Sequence, residues 1–240
     1  MDIKIDEFKQ YFFGKLDKKL LPLGFKYVKS QHGYILKKEN WHFRFLIDCT
    51  KWTNSIRVQT KISARNLMVE KTFNKLCGTK YEGLKIWGEY PLISDFLGQQ
   101  LSEEPLSVFH VHSEDEIQKT TQLWIEYFQN IGIPFVERII TDRYFALDIV
   151  RKYEKSFFFP DRCHYLPVMC KQLEMDTNDI EKICNELETG FNEFTKLKHF
   201  QSPKEYHKRW LVEYYTVKAT VINGKMPNYR DVKCNAARAL

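Results

Sequence analysis

The sequence predicts an α+β fold, in which an N-terminal helix and an antiparallel β-meander precede a mostly α-helical C-terminal half. Residues 55–63 alternate strictly between apolar and polar side chains, as a half-buried strand does. Residues 41–50 alternate in the same way. From residue 113 onward, apolar residues recur at the three- and four-residue spacing of amphipathic helices. The sheet is therefore expected in the first half of the chain.

The first predicted elements are one helix and four strands. Apolar residues recur at nearly four-residue intervals from Asp6 to Leu21, and Pro22 and Gly24 end this helix. The strands are predicted over residues 25–28, 34–37, 41–50 and 55–63. Because the connections between them are short, consecutive strands should pair as antiparallel neighbours. The helix should cover the apolar face of this sheet.

The middle of the chain contains a helix, a long loop and a further strand. A helix is predicted over residues 67–77. A Gly- and Pro-containing loop with a short strand at residues 84–87 follows it. Residues 106–112 alternate again and are expected to rejoin the first sheet. Ser113 and Glu116 then match a capping box, which predicts a helix that runs up to Gly132.

The rest of the chain is predicted to be helical. The expected helices cover residues 134–140, 142–153, 165–173, 179–197 and 203–224. We predict that residues 1–100 form the helix-plus-meander part. Residues 101–224 should form a mainly helical part, packed on the first as one globule, and residues 225–240 an irregular tail.

Composition is typical of a globular cytoplasmic protein. Hydrophobic residues make up 43% of the 240 residues and aromatic residues 15%, which argues against a disordered chain. No apolar run approaches the roughly 20 residues that span a bilayer, and the N-terminus lacks the pattern of a signal peptide. The six cysteines are scattered without a Cys-x-x-Cys pair, so reduced thiols are expected. No membrane partner is predicted.

Charge is segregated along the chain. Residues 1–65 hold 14 Lys and Arg against 6 Asp and Glu, and residues 201–240 hold 8 against 3. Residues 66–200 hold 15 against 22. Such a distribution affects solubility and encounter with partners, and two explanations remain open. The basic ends either remain solvated near the acidic middle or attract an acidic partner.

Two pairs of residues are candidate chemical sites. His110 and His112 lie two apart on a predicted strand, and imidazoles on one face could bind a metal ion. A third ligand at a defined spacing is missing, so no metal is predicted. Cys163 and His164, beside Asp161 and Arg162, could form a thiol–imidazole pair, but adjacent residues rarely face each other. No catalytic residue is assigned.

The polar face of the meander carries the candidate binding residues. Arg44, Arg57 and Lys61 are expected on one side of the sheet, with Lys26 and His42 beside them. Cationic strands with nearby aromatic residues can bind single-stranded nucleic acid or an acidic protein surface. They can also serve only to keep a sheet face soluble. Most of the aromatic residues fall on the apolar row, which favours a protein partner over nucleic acid.

The opening of the chain resembles a family of uncharacterised bacterial proteins. The helix ends in Leu20-Leu-Pro-Leu-Gly-Phe25 and runs directly into aromatic strands. Members of that family begin with a helix, a Pro-Leu-Gly-Phe-like turn and a meander, and some are suspected toxin-immunity proteins. The resemblance covers the first quarter of the chain and implies a bacterial protein-binding role. It carries no catalytic residues.

Three function classes follow from these observations. The first is a cytosolic protein that binds an acidic protein surface, in one form an immunity protein for a toxin. The second is a nucleic-acid-binding module that uses the basic sheet face. The third is an enzyme with an unrecognised site. The sequence contains no phosphate loop, dinucleotide-binding glycine motif, Gly-x-Ser-x-Gly or His-Glu-x-x-His, so no cofactor is predicted and the binding classes are favoured.

Overall fold

The structure is a computed structural model that describes residues 4–31, 33–77, 85–87, 108–152, 165–195 and 204–224. Its elements follow the order of a helix, an antiparallel sheet and a helical second half, which confirms the predicted fold class. The helices of the described residues are α1 (Ile5–Leu20), α2 (Leu67–Cys77), α3 (Glu114–Tyr127), α4 (Ile133–Thr141), α5 (Phe145–Lys152), α6 (Leu166–Gln172), α7 (Thr177–Thr195) and α8 (Lys204–Asn223). The strands are β1 (Lys26–Val28), β2 (Gly33–Lys38), β3 (Trp41–Trp52), β4 (Ser55–Asn66), β5 (Lys85–Trp87) and β6 (Val108–Val111).

The chain forms two compact units, and each is discontinuous in sequence. The first comprises Met1–Arg65 and Trp87–Thr141, and the second comprises Asn66–Ile86 and Asp142–Leu240. The predicted boundary near residue 100 and the predicted tail over residues 225–240 both lie outside the described residues. They stay predictions.

The sheet confirms the predicted meander. Its strands follow the order β1-β2-β3-β4-β5, and β6 pairs with β4. β1, β2 and β3 are antiparallel neighbours, with Tyr27 opposite Tyr34 and Tyr34 opposite Phe45. β6 is antiparallel to β4, with Ile56 opposite Val111, so the predicted strand near residues 106–112 does rejoin the first sheet.

One face of the sheet forms the core of the first unit. The buried apolar residues of β3 and β4 recur every second residue, so they point to this face: Phe43, Phe45, Ile47, Cys49, Ile56, Val58, Ile62 and Ala64. α1 contributes Phe8, Phe12, Leu16 and Leu20 to the same core, and all four are fully buried. Phe45 stacks between the rings of Phe25 and Phe128, with both centroid distances at 4.7 Å. α1 therefore covers the apolar face of the sheet, as its amphipathic pattern predicts.

The prediction that a helix ends at Gly132 needs correction. After α3 the chain makes a π turn over Phe128–Gly132 and continues directly into α4. A Cβ at Gly132 would lie 3.2 Å from Ile62 Cδ1 and 3.4 Å from Phe45 Cζ. The glycine therefore permits close packing against the sheet and does not stop the helix. Pro134 lies at the second position of α4, directly after this π turn.

The second unit is a helical assembly with α6 at its centre. α6 packs against α2, α5, α7 and α8, and its side chains from Leu166 to Cys170 are buried. Phe73 of α2 contacts the ring of Tyr165 at a centroid distance of 4.6 Å. Between α7 and α8, the buried Tyr214 hydroxyl donates to Glu188 Oε1 at 3.0 Å. No helix of the described residues has both the length and the apolar character needed to cross a membrane.

Candidate functional site

The candidate site is the face of the sheet opposite the core, called here the outer face. Tyr34 and Phe45 point to the core side, where the Tyr34 hydroxyl reaches Asp17 of α1. The residues directly before and after Tyr34 and Phe45 point the other way, because side chains alternate along a strand. The outer face carries Lys26, Ile35, Lys37, His42, Arg44, Leu46, Asp48, Arg57, Gln59 and His110.

Four basic side chains lie together on this face across β1, β2 and β3. Lys26 is opposite Ile35, and Ile35 is opposite Arg44, so these residues form one row. Lys37 is opposite His42 in the neighbouring row. With strands about 4.8 Å apart, the backbone of Lys26 lies about 10 Å from that of Arg44. We call Lys26, Lys37, His42 and Arg44 the basic rows.

The members of the basic rows differ in exposure. Lys26 and Lys37 are exposed, whereas His42 and Arg44 are half-buried. The Nε atom of Arg44 is buried, and desolvation lowers the pKa of its guanidinium from the ordinary value. Long arginine side chains cover apolar neighbours with their methylene groups. Arg44 therefore contributes to packing, and the two lysines are the more accessible charges.

The structure separates Arg57 from the basic rows. Arg57 lies opposite His110, near the start of β4. The connection Thr53–Asn54 has two residues, which sets the register of the β3–β4 hairpin, and we infer that Arg44 faces Ser63. Ser63 is six residues from Arg57, or about 20 Å at 3.3 Å per residue. The expected grouping of Arg44 with Arg57 therefore does not form in this register.

Lys61 lies within β4, four residues beyond Arg57. That spacing corresponds to about 13 Å along a strand, so positions 57 and 61 lie on the same face of β4 without being neighbours. The side chain of Lys61 lies outside the described part of the chain. Its contribution to a basic surface stays a prediction.

A second group of outer-face residues, the hairpin-end cluster, comprises Trp52, Ser55, His110 and His112. Ser55 is buried, and its Oγ lies 3.1 Å from His110 Nδ1. The Trp52 ring meets His110 edge-on at a centroid distance of 5.6 Å. The two imidazoles are nearly parallel, with centroids 6.2 Å apart, and both are exposed. They share one face of the strand, as their spacing predicts.

The acidic residues beyond His112 belong to the start of α3. Ser113 Oγ accepts the Glu116 amide at 3.3 Å, and Glu116 Oε2 accepts the His112 amide at 2.6 Å. The predicted capping box is therefore present, with Glu116 reaching the amide one residue before the cap. No group of three His, Cys, Asp or Glu side chains in the described ranges could hold a metal ion. The Cys163–His164 pair, with Asp161 and Arg162, lies outside those ranges.

Sequence reasoning missed the surface formed where α1 meets β1. The sequence places Leu21 at the end of the first predicted helix and Leu23 in the turn that resembles the bacterial family, and in the structure their side chains are 47% and 48% exposed. The signal that could have found them is a charge run. Residues 18–38 contain six lysines and no Asp or Glu. A segment so depleted of acidic residues beside exposed leucines indicates a surface suited to a partner.

The basic rows present cations around the apolar Ile35, and this arrangement can bind an extended acidic surface. The hairpin-end cluster mixes imidazole rings with the acidic start of α3, so its charge is not of one sign. Searches with this chain against protein-family models, curated proteins and solved structures found no match.

Proposed function

We propose that this chain is a protein-binding protein whose outer sheet face receives an acidic protein surface. The basic rows carry the proposal, because two exposed lysines and Arg44 lie on one face around Ile35. An apolar side chain with cations beside it fits a protein interface with an apolar centre and a polar rim, where apolar contact supplies affinity and charge supplies orientation. The segregated charge of the chain supports the same reading.

The test is charge reversal at the two exposed lysines. Lys26→Glu combined with Lys37→Glu should slow association with the partner and remove most of its salt dependence, because such charges act mainly on encounter. Lys171→Glu combined with Lys182→Glu is the matched control, since these exposed lysines lie in the second unit. Equal association rates for the two double variants would contradict the proposal.

A toxin is the specific partner that the family resemblance favours, and the cytosol of a bacterium is the place where the two would meet. In that form, the product of a neighbouring gene should inhibit growth, and co-expression of this chain should restore it. The Lys26→Glu, Lys37→Glu variant should restore growth less well than the control variant. Full rescue by both variants would show that growth protection does not depend on the basic rows.

Nucleic-acid binding is a second candidate function, and Trp52 is the observation that favours it. The Trp52 side chain is 54% exposed and lies beside His110, which is opposite Arg57. An exposed indole near a cation can stack on an unpaired base while the cation contacts phosphate. Fluorescence titration with a single-stranded oligonucleotide should then show quenching that is lost in Trp52→Ala and falls steeply with salt. No quenching at low salt would remove this candidate.

A further inference from the structure

The turn after α1 exposes two leucines. Leu21–Leu23 is a single turn of 3₁₀ helix, and its two leucine side chains are about half-exposed. Scattered exposed apolar residues are ordinary, but here two half-exposed leucines lie within one three-residue turn. We call Leu21, Pro22 and Leu23 the leucine turn.

The backbone of the leucine turn is held without the help of its leucine side chains. The Gly24 amide donates to the Leu21 carbonyl at 3.0 Å, and the Phe25 amide donates to the Leu20 carbonyl at 3.2 Å. Gly24 has a φ of 87°, which favours glycine, and Pro22 restricts φ within the turn. Polar residues at positions 21 and 23 would satisfy the same geometry. The exposed leucines are therefore not required by the turn itself.

Exposed lysines lie in the elements directly before and after the leucine turn. Lys18 and Lys19 are exposed in the last turn of α1. Lys26 is exposed in β1, two residues after Gly24. A Cβ at Gly24 would lie 3.5 Å from Leu36 Cδ1, so the core-facing side of β2 lies next to the turn, and Lys37 follows Leu36 on the outer face.

These lysines lie in a segment between Asp17 and Glu39 whose formal charges are all positive. Residues 18–38 contain no acidic residue. Within the described ranges, no ion pair is formed by Lys18, Lys19, Lys26 or Lys37. An apolar patch inside such a segment is complementary to an apolar recess bordered by carboxylates.

We propose that the leucine turn anchors the acidic protein partner, with Leu21 and Leu23 as apolar contacts and the surrounding lysines as the charged rim. This inference rests on the proposed function, since it assigns anchors to the same interface. Lys26, two residues after Gly24, belongs both to the rim and to the basic rows, so the two surfaces adjoin at the edge strand β1. Continuity matters because a stable protein interface needs about 800 Å² on each partner, which one turn cannot supply alone.

An anionic bilayer is the alternative occupant of this surface. A bilayer would contact only the projecting turn and its lysines, and reversible membrane binding then requires charge and apolar insertion together. A protein partner also uses the adjoining basic rows, which extend across three strands. The continuity of the two surfaces favours the protein.

The first experiment locates the contact by photocrosslinking in the cells that make this protein. A benzophenone amino acid is placed at position 21, at position 23 or, as a control, at Tyr144, whose side chain is 46% exposed in the second unit. Positions 21 and 23 should yield the same protein adduct, absent from position 144. The adduct should disappear when Lys18→Glu, Lys19→Glu and Lys26→Glu are combined. Identical adducts from all three positions, or no adduct from 21 and 23, would overturn the inference.

The second experiment measures affinity with the protein identified in the adduct. Leu21→Ser combined with Leu23→Ser should weaken binding by on the order of tenfold or more, as loss of an apolar anchor does. Met68→Ser is the matched control, because Met68 is 44% exposed in the second unit. Leu21→Met combined with Leu23→Met keeps the apolar character and should retain binding. An unchanged melting temperature in the serine variant excludes unfolding as the cause.

The outcomes distinguish this inference from the proposed function. If the serine variant binds normally while Lys26→Glu combined with Lys37→Glu binds poorly, the protein-binding function stands and the leucine anchor is wrong. If neither variant affects binding, both are wrong. Co-sedimentation with phosphatidylglycerol vesicles, lost in the serine variant and absent with phosphatidylcholine vesicles, would assign the surface to a membrane instead.

Discussion

Tyr34 shows how one buried polar group can connect two elements of the first unit. Its hydroxyl donates to Asp17 Oδ1 at 2.6 Å, and the Phe13 carbonyl oxygen lies 3.3 Å away. Burial, together with the hydrogen bond to Asp17, raises the pKa of Tyr34 well above its usual range, so the hydroxyl keeps its proton. The ring also contacts Tyr27 and Phe13. Tyr34 thus ties β2 to α1 through both polar and apolar contacts.

Tyr34→Phe should lower the free energy of unfolding by about 1–3 kcal/mol, because it removes a hydrogen bond to a charged acceptor and keeps the ring. Urea denaturation followed by circular dichroism measures the change. Tyr144→Phe is the control, since Tyr144 is exposed and should change the free energy by less than about 0.5 kcal/mol. Matching urea midpoints for Tyr34→Phe and the wild type would show that this hydrogen bond contributes nothing net.

At the scale of single elements, two glycines differ in whether their position requires a glycine. Gly33 lies in β2, where a Cβ would come 2.2 Å from the Phe45 carbonyl oxygen of the neighbouring strand. Gly14 lies inside α1, and a Cβ there would meet no atom within 4 Å. Glycine is required for the strand pairing at the first position. At position 14, glycine only weakens helix α1.

The two alanine substitutions should therefore change stability in opposite directions. Gly33→Ala should destabilise by about 1–3 kcal/mol or more, because a backbone oxygen cannot move aside without disturbing the β2–β3 pairing. Gly14→Ala should stabilise by about 0.5–1 kcal/mol, since alanine is the better helix former. Thermal unfolding of both variants against the wild type is the measurement. If both variants were more stable than the wild type, or both less stable, the packing described at one of these positions would be wrong.

At the scale of the whole molecule, each compact unit contains a buried thiol. Cys49 lies in the core of the first unit, and burial raises its pKa to about 12. Cys184 lies in the second unit, and burial raises its pKa to about 11. In the unfolded chain a thiol titrates near 9. The unfolded chain therefore loses these protons at lower pH than the folded protein does.

This difference predicts alkaline destabilisation with a defined sign. The contribution of the protonated Cys49 thiol to the free energy of unfolding is fully present below pH 9. It is lost as the pH rises from about 9 toward about 12, because ionisation then stabilises only the unfolded state. The stability difference between the wild type and Cys49→Ala should stay constant up to pH 8 and shrink above pH 9. Urea denaturation at pH 7, 8, 9, 10 and 11 tests this. A difference that stays constant to pH 11 would show that Cys49 ionises equally in both states.

Much of the fold could be read from local pattern. The predicted strands at residues 41–50 and 55–63, which the structure extends to 52 and 66, the helix at 67–77 and the capped start at Ser113 follow from side-chain periods and turn residues. The end of α3 could not be read in this way. Gly132 looks like a helix stop in the sequence, but its real neighbours are Ile62 and Phe45.

The candidate site was only partly predictable for the same reason. Alternation showed that Arg44 and Arg57 are on the polar side of their strands, and it showed that His110 and His112 share a face. Register and long-range contact decided which of these residues are neighbours.

By itself, the sequence determined the fold class, the meander, the core-facing rows of β3 and β4 and the segregation of charge. These features depend on side-chain periods of two and 3.6 residues and on the residues that end each element, all of which are local. Only the tertiary structure decided that Lys26 and Arg44 share a row, that Arg57 meets His110 instead of Arg44, and that Leu21 and Leu23 remain exposed. Neighbours across strands depend on register, and exposure depends on what the rest of the chain covers, so neither is encoded in a local period.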